Sequence, residues 1–312
     1  MINLAILGSG YIGRQHCQSQ ALIDDVKLCA VISLKGKGGE ELAEEFGANY
    51  YETLKEANEK EKLDAIIICT PTFLHRQHVE EAAGMGLHVL CEKPAALSVE
   101  DFDAMVKACE DNNVKLMIAQ ICRWDPWSQD IKDCVVNKKL GKLRYYSACR
   151  LSQVPGWGTW QQDPKLSGGA LYDMNIHDID LTYYFFGMPK TVYATGWANE
   201  QGAWMHVDTA LRYDELQANV ESSLAMPGDY PFAVFQRLTG DDNYYEYVYH
   251  LDENAVGSDF DNREYADEQQ GFYDYAFNGK ESPVPNADVR NVLRIVEATK
   301  QSLETGKSVD ME

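Results

Sequence analysis

Three short stretches of the chain combine residue types and spacings that suit chemistry. In "AILGSGYIGRQH" glycines fall at Gly8, Gly10 and Gly13, after a β-rich run and at the opening of a helical one. This G-x-G-x-x-G spacing permits a tight turn and close backbone approach to a pyrophosphate, whose charge the free N–H groups of a helix start receive. Tyr11 and Ile12 complete that loop. In "LHVLCEKPAALS" an apolar run ends on Glu92, Lys93 and Pro94. A proline restricts the residue before it to extended geometry, so Lys93 is aimed, and a cation at a strand end suits the stabilisation of developing negative charge. The competing reading is a surface ion pair. In "GGALYDMNIHDIDLTYYFFG" the spacing of Asp173, His177, Asp180 and Tyr184 draws one polar stripe along an otherwise apolar helix. Such a stripe is costly unless it faces a cleft or is internally paired.

The elements that must position these residues follow from patterning. Through about residue 120, β-rich runs (2–8, 26–33, 63–70, 87–92 and 114–120) alternate with helical stretches (12–22, 39–46, 75–85 and 98–111). Strict strand–helix alternation predicts a parallel sheet covered by helices on both faces. The unalternating "DAIIIC" suits a strand buried on both sides, and Ser98 reads as a helix N-cap with Asp101 in the capping-box position. After a helical segment over 121–140, long period-two runs (142–154, 190–198, 207–226, 232–240 and 244–251) predict an antiparallel sheet with one covered face. Residues 252–270 read as a long polar loop and 287–304 as a closing helix. The expected fold is α/β: a dinucleotide-binding domain over 1–120 and a second α/β domain over 121–312.

Composition narrows the function classes. A chain of 312 residues is long enough for two cores. Its net charge of −21, from 28 basic and 49 acidic residues, repels phosphate backbones, so no nucleic-acid partner is expected. No apolar run approaches the ~18 residues that a membrane helix needs, and "MINLAILGSG" lacks a basic n-region, so a soluble cytoplasmic protein is expected. Eight cysteines lie no closer than twelve residues apart, without a C-x-x-C pair, mostly inside apolar segments. They read as reduced structural thiols.

The second strand bears on the cofactor. Where an NAD-binding fold usually places Asp or Glu for the ribose hydroxyls, this strand ends on Ser33, with Lys35 and Lys37 just beyond. That set would accept a 2′-phosphate, which favours NADP over NAD. The alternative is a solvated lysine loop that takes either dinucleotide.

The glycine loop, "CTPTFLH" (69–75), "EKP" (92–94) and "SGGALYDMNIHDID" (167–180), in that order, resemble the Gfo/Idh/MocA oxidoreductases, the glucose–fructose oxidoreductase and inositol dehydrogenase family. The resemblance implies an N-terminal Rossmann domain, a C-terminal α/β domain with an open, mostly antiparallel sheet, and a nicotinamide cofactor between them. It implies association into dimers or tetramers through the open sheet. Carried over, Gly8, Gly10 and Gly13 match the phosphate loop. Thr70, Pro71 and His75 match the segment beside the cofactor. Glu92 and Lys93 match the motif next to the nicotinamide, and Asp173 and His177 match the carboxylate and histidine of the second domain. "QICRWDPW" (120–127) resembles the cleft segment, so Gln120, Arg123 and Trp124 are candidate substrate residues, although Gln120 and Trp124 depart from the usual pattern. Asn175 stands where many members have glycine or histidine and would shape the pocket floor. Trp157 and Trp160 are candidates for stacking on a sugar ring or for anchoring their loop.

Oxidising a secondary alcohol removes a proton from oxygen as hydride leaves carbon. His177, supported by Asp173, suits the proton transfer and Lys93 the polarisation of the oxygen. A metal set of Asp173, His177 and Asp178 is the alternative. No second His/Cys cluster completes it, so no metal is expected. The expected activity is an NAD(P)-dependent dehydrogenase or reductase of a small sugar, polyol or carbonyl substrate. The alternatives are an NAD-dependent glycoside hydrolase of the same fold and a non-catalytic cofactor-binding regulator.

Overall fold

A computed structural model describes residues 1–154, 160–251 and 262–311. The chain divides into two compact units, Met1–Trp124 with Asp259–Ala287, and Asp125–Ser258 with Asp288–Glu312.

The first unit is built on six strands: β1 (Ile2–Leu7), β2 (Val26–Ile32), β3 (Asn49–Tyr51), β4 (Ala65–Ile68), β5 (His88–Glu92) and β6 (Leu116–Ala119). They lie in the order β3-β2-β1-β4-β5-β6 with every neighbouring pair parallel. The strand order reverses between β1 and β4, the place where sheets of this kind bind ligands at their carboxyl ends. Ile66, Ile67 and Ile68 are fully buried, as their unbroken apolar run requires. Five helices intervene: α1 (Tyr11–Gln20), α2 (Gly39–Glu45), α3 (Leu54–Glu61), α4 (His75–Gly84) and α5 (Val99–Asp111). The Ser98 hydroxyl accepts from the Asp101 N–H at 3.1 Å, which caps α5.

The second unit holds α6 (Pro126–Val136), β7 (Leu143–Leu151), α7 (Ile176–Phe186), β8 (Thr191–Ala198), β9 (Trp204–Arg212), β10 (Gln217–Ser223), β11 (Ala233–Gly240) and β12 (Tyr244–His250). The helix α8 (Arg263–Phe277) belongs to the first unit, and α9 (Asn286–Thr305) and β13 (Val309–Asp310) follow it. The sheet order is β12-β11-β7-β10-β9-β8-β13. Its pairs are antiparallel except β7 with β10, so the sheet is mixed and mostly antiparallel. Leu211, Val207, Ala218, Val220, Ala148 and Leu238 turn to its buried face. Tyr193, Trp197, Tyr244 and Val248 alternate to the opposite face and are exposed.

Two sequence expectations change here. Residues beyond 120 do not all belong to the second unit, because Asp259–Ala287 returns to the first and packs α8 on α1. The loop expected over 252–270 is helical from Arg263 onward, and 252–261 lies outside the described residues. The helix was hidden because the face that α8 buries combines Ala266, Phe272 and Tyr273 with Glu268 and Gln269, which no apolar periodicity reveals. No helix among the described residues is long and apolar enough to cross a membrane.

Candidate active site

The glycine loop joins β1 to α1 at the strand-order reversal. Gly8 has φ +117°, and a Cβ there would lie 2.6 Å from the Cys69 carbonyl oxygen at the end of β4. A Cβ on Gly13 would lie 2.0 Å from the Gly8 carbonyl oxygen, so only glycine fits the close packing of helix on loop. Gly10 is different: its φ is −75° and a Cβ would meet nothing within 4 Å. That open space faces the start of α1, where Tyr11 is exposed and Ile12 half-buried. The Ser9 hydroxyl donates to the Lys37 carbonyl at 2.6 Å and ties the glycine loop to the loop after β2. Ser33 is 8% exposed, with its hydroxyl turned back on the Leu34 carbonyl at 3.3 Å, while Lys35 and Lys37 are exposed.

Beyond β4, Thr70 and Pro71 lead into α4. His75 is buried, with Nδ1 at 2.9 Å from the Pro94 carbonyl and Nε2 at 2.8 Å from the Thr70 carbonyl. This one ring therefore ties the exit of β4 to the exit of β5. Burial holds its pKa below the ordinary histidine range despite the two carbonyls. The Thr70 hydroxyl meets His78 Nδ1 at 3.0 Å.

At the end of β5, Glu92 is buried and Lys93 half-buried, and the Lys93–Pro94 peptide is cis. Glu92 Oε2 accepts from the Lys93 N–H at 3.1 Å and Oε1 pairs with His16 Nε2 at 2.9 Å. After β6, Gln120 and Arg123 are buried and Trp124 is half-buried.

In the second unit, Gly168 and Gly169 both take positive φ, and a Cβ on Gly169 would lie 2.4 Å from the Trp204 carbonyl oxygen. The helix after them opens with a π turn over Leu171–Asn175 before α7 begins. Asp173, His177 and Tyr184 are half-buried on an otherwise mostly buried element, whereas Asp180 is buried. Asp180 is thus the buried member of the expected stripe. Asp178 is fully buried and bound by Arg150 through Nε (3.0 Å) and Nη2 (3.1 Å), and by Gln236 Nε2 at 2.8 Å.

Asn175 corrects an expectation. It is 0% exposed, donates to Ser222 Oγ at 3.0 Å and accepts from Thr209 Oγ1 at 3.4 Å. It fastens the π turn to β9 and β10 instead of flooring a pocket, because its amide matches polar groups that face inward from both strands. Trp160 is half-buried in a short turn over Trp160–Gln162, and Trp157 lies outside the described residues.

A family model described as "Oxidoreductase family, NAD-binding Rossmann fold" matches residues 2–120, and the GFO/IDH/MocA C-terminal domain model matches 128–246. A scyllo-inositol 2-dehydrogenase (NADP(+)) of Bacillus subtilis is 30% identical over 70% of this chain and 68% of its own length. The chain belongs to the Gfo/Idh/MocA family. A 2,7-anhydro-N-acetylneuraminate hydratase of Mediterraneibacter gnavus is 31% identical over 62% of this chain, and the chain spans about half, 52%, of that relative's length. The myo-inositol 2-dehydrogenase structure from Lactobacillus plantarum superposes with a TM-score of 0.86 at 26% identity, covering 100% of this chain and 99% of the other.

The residues of this Gfo/Idh/MocA member fit a nicotinamide dinucleotide. The cradle at Gly8 and Gly13 is too tight for any side chain, and the space over Gly10 stays open at a helix start. Three further residues had no functional reading in the sequence: His16, Glu268 and Gln269, which are buried around Glu92. The signal for His16 was its place one turn beyond the glycine loop. Glu268 and Gln269 gave none.

Proposed function

We propose that this protein is an NAD(P)-dependent dehydrogenase or reductase of a sugar, polyol or related small carbonyl compound. The observation that carries the reading is the alignment of two strand exits in one sheet. The glycine loop leaves β1 at the order reversal, and Glu92-Lys93 leaves β5 two strands away. The nicotinamide, when bound, supplies hydride exchange with carbon. Lys93 polarises the substrate oxygen, His177 moves its proton, and Asp173 supports the imidazolium. Gly8, Gly10, Tyr11, Ile12, Gly13, Thr70, Pro71 and His75 form the dinucleotide cradle, and Gln120, Arg123, Trp124 and Trp160 contribute to substrate recognition. The half-buried state of Lys93, Asp173 and His177 supports these roles, since each is held by the fold yet keeps an accessible side.

The cofactor we favour is NADP. Ser33 replaces the carboxylate that would repel a 2′-phosphate, with exposed Lys35 and Lys37 alongside, and the B. subtilis relative's name carries NADP(+). We also propose a homodimer or homotetramer formed over the exposed sheet face of Tyr193, Trp197 and Val248, and a cytoplasmic location consistent with mostly buried free thiols. A second, redox-neutral reading, in which the cofactor is reduced and reoxidised within each turnover, is favoured by the hydratase relative.

Titration of the purified protein with NADP(H) and NAD(H), followed by tryptophan fluorescence, tests the cofactor. Tighter NADPH binding is expected. Turnover is then read with scyllo-inositol, myo-inositol and D-xylose. Stoichiometric NADPH formation supports the dehydrogenase reading, and product without net reduced cofactor moves the assignment to the redox-neutral one. Binding of neither dinucleotide sinks both and leaves a non-catalytic relative.

A further inference from the structure

Beneath the Glu92–Lys93 turn lies a buried polar chain that the proposed mechanism does not use. It begins on α8, in the segment that returns to the first unit. Gln269 is fully buried, and its amide nitrogen lies 2.6 Å from Ser19 Oγ, 2.9 Å from His16 Nδ1 and 3.2 Å from the His16 carbonyl oxygen. The Ser19 hydroxyl donates its own hydrogen to that carbonyl at 3.1 Å, so its oxygen is left to accept. A backbone carbonyl only accepts as well, so the NH₂ end of Gln269, and not its oxygen, faces α1.

This orientation fixes the next link. His16 Nδ1 faces a donor and must accept, so the ring hydrogen sits on Nε2. Nε2–H then donates to Glu92 Oε1 at 2.9 Å, and Glu92 Oε2 accepts the Lys93 N–H at 3.1 Å. The Tyr265 ring packs edge-on against the imidazole, with centroids 5.1 Å apart.

Beside this chain sits a second acid. Glu268 is 0% exposed, and neither of its carboxyl oxygens has a hydrogen-bond partner among the described residues. Burial first, and the charge of Glu92 second, drive its pKa far above the usual carboxylate range. The titratable groups around it are Glu92, Tyr265 and Cys69. Of two neighbouring buried acids, Glu92 holds two donors and Glu268 none. Hydrogen-bond donors stabilise the charged form, and Glu268, which has none, is the acid whose neutral form burial favours.

We propose that Gln269 and His16 are positioning residues for Lys93: through one fixed imidazole tautomer they orient the Glu92 carboxylate that holds the Lys93 backbone. The proposal rests on the reading of Lys93 as the residue that polarises the substrate. It adds that this lysine is set by a helix far away in sequence.

The test uses the full chain. Nitrogen-15 NMR of histidine-labelled protein, with His16 assigned by its absence in His16→Gln, should show His16 protonated on Nε2 alone. A hydrogen on Nδ1 overturns the proposal. In turnover with NADP(+) and scyllo-inositol, myo-inositol or D-xylose, His16→Asn loses the donor that reaches Glu92, whereas His16→Gln places an amide N–H near the position of Nε2. His16→Asn is expected to lower kcat roughly 10- to 100-fold, since small misplacements of a reacting group cost that much, with dinucleotide affinity unchanged and His16→Gln largely restoring the rate. Equal loss in both variants, or a loss that appears only in dinucleotide affinity, overturns it. If the His16→Asn chain does not fold, the tautomer measurement decides. Normal turnover in Lys93→Ala defeats the reading of Lys93 itself and is recognisable as such, because the His16 tautomer is unaffected by it.

Discussion

The Arg150 guanidinium grips both carboxylate oxygens of Asp178, at 3.0 and 3.1 Å, with both side chains buried and His177 the residue next door. Gln236 adds a third donor to the same carboxylate and in turn accepts from the Tyr146 hydroxyl. The helix that carries His177 is thereby bolted to β7 and β11. Removing one partner of a buried pair leaves an uncompensated charge, so Arg150→Met should lower unfolding free energy by about 3–5 kcal/mol. Arg150→Met with Asp178→Leu should recover much of that loss. Urea unfolding of the single and double variants measures both.

The second and third glycines of the phosphate loop, Gly10 and Gly13, should separate in their effects. Gly13→Ala drives a methyl group into the Gly8 carbonyl and should cost about 1–3 kcal/mol of stability. Gly10→Ala meets open space at a φ that alanine accepts. It should keep the thermal midpoint while weakening dinucleotide binding about tenfold, or 1.4 kcal/mol. Thermal melts alongside fluorescence titration test the split, and unchanged binding in Gly10→Ala would remove the loop from the cofactor site.

Lys93→Ala and His177→Ala should each lower kcat by about 10²- to 10⁴-fold, the usual contribution of a positioned acid, base or polarising group. Dinucleotide affinity should stay near that of the unaltered protein. Turnover that survives both changes would mean the chemistry lies elsewhere.

His78 gives a pH signature. Burial, with His75 nearby, holds its pKa down to about 4. The unfolded chain binds this proton near pH 6.5 and the folded chain does not, so the contribution to stability is present above about 6.5 and is lost as pH falls toward 4. The unfolding free energy of the protein minus that of His78→Asn should therefore shrink over this window. A His78 NMR resonance that titrates near 6.5 would contradict the sign.

Much of the first sheet was legible because buried parallel strands are short, apolar and regularly spaced, and the Ser98 cap announced α5. The strand β3 and helix α3 escaped. "NYY" is too short to show a period, and α3 is nearly all polar, although Thr53 and Glu56 carry a capping-box signature that the Thr53 hydroxyl fulfils. The stripe on α7 was legible as spacing, but neither the π turn before it nor the burial of Asp180 was. Asn175 looked like a pocket residue only because one sequence does not reveal which polar groups on β9 and β10 wait for its amide. The roles of Glu268 and Gln269 depend on contacts made across more than half the chain, beyond any local pattern.

The return of α8 has a consequence for how the protein is made. A ribosome releases all six strands of the first sheet, the glycine loop and α1 long before it releases Gln269 and Tyr273, the buried partners of His16, Ser19 and Gln20. Until then the face of α1 that carries His16, Ser19 and Gln20 lacks these partners, and the first unit is incomplete. The first unit therefore closes only after strands β7–β12 of the second have been synthesised, so its folding cannot finish in simple order of synthesis.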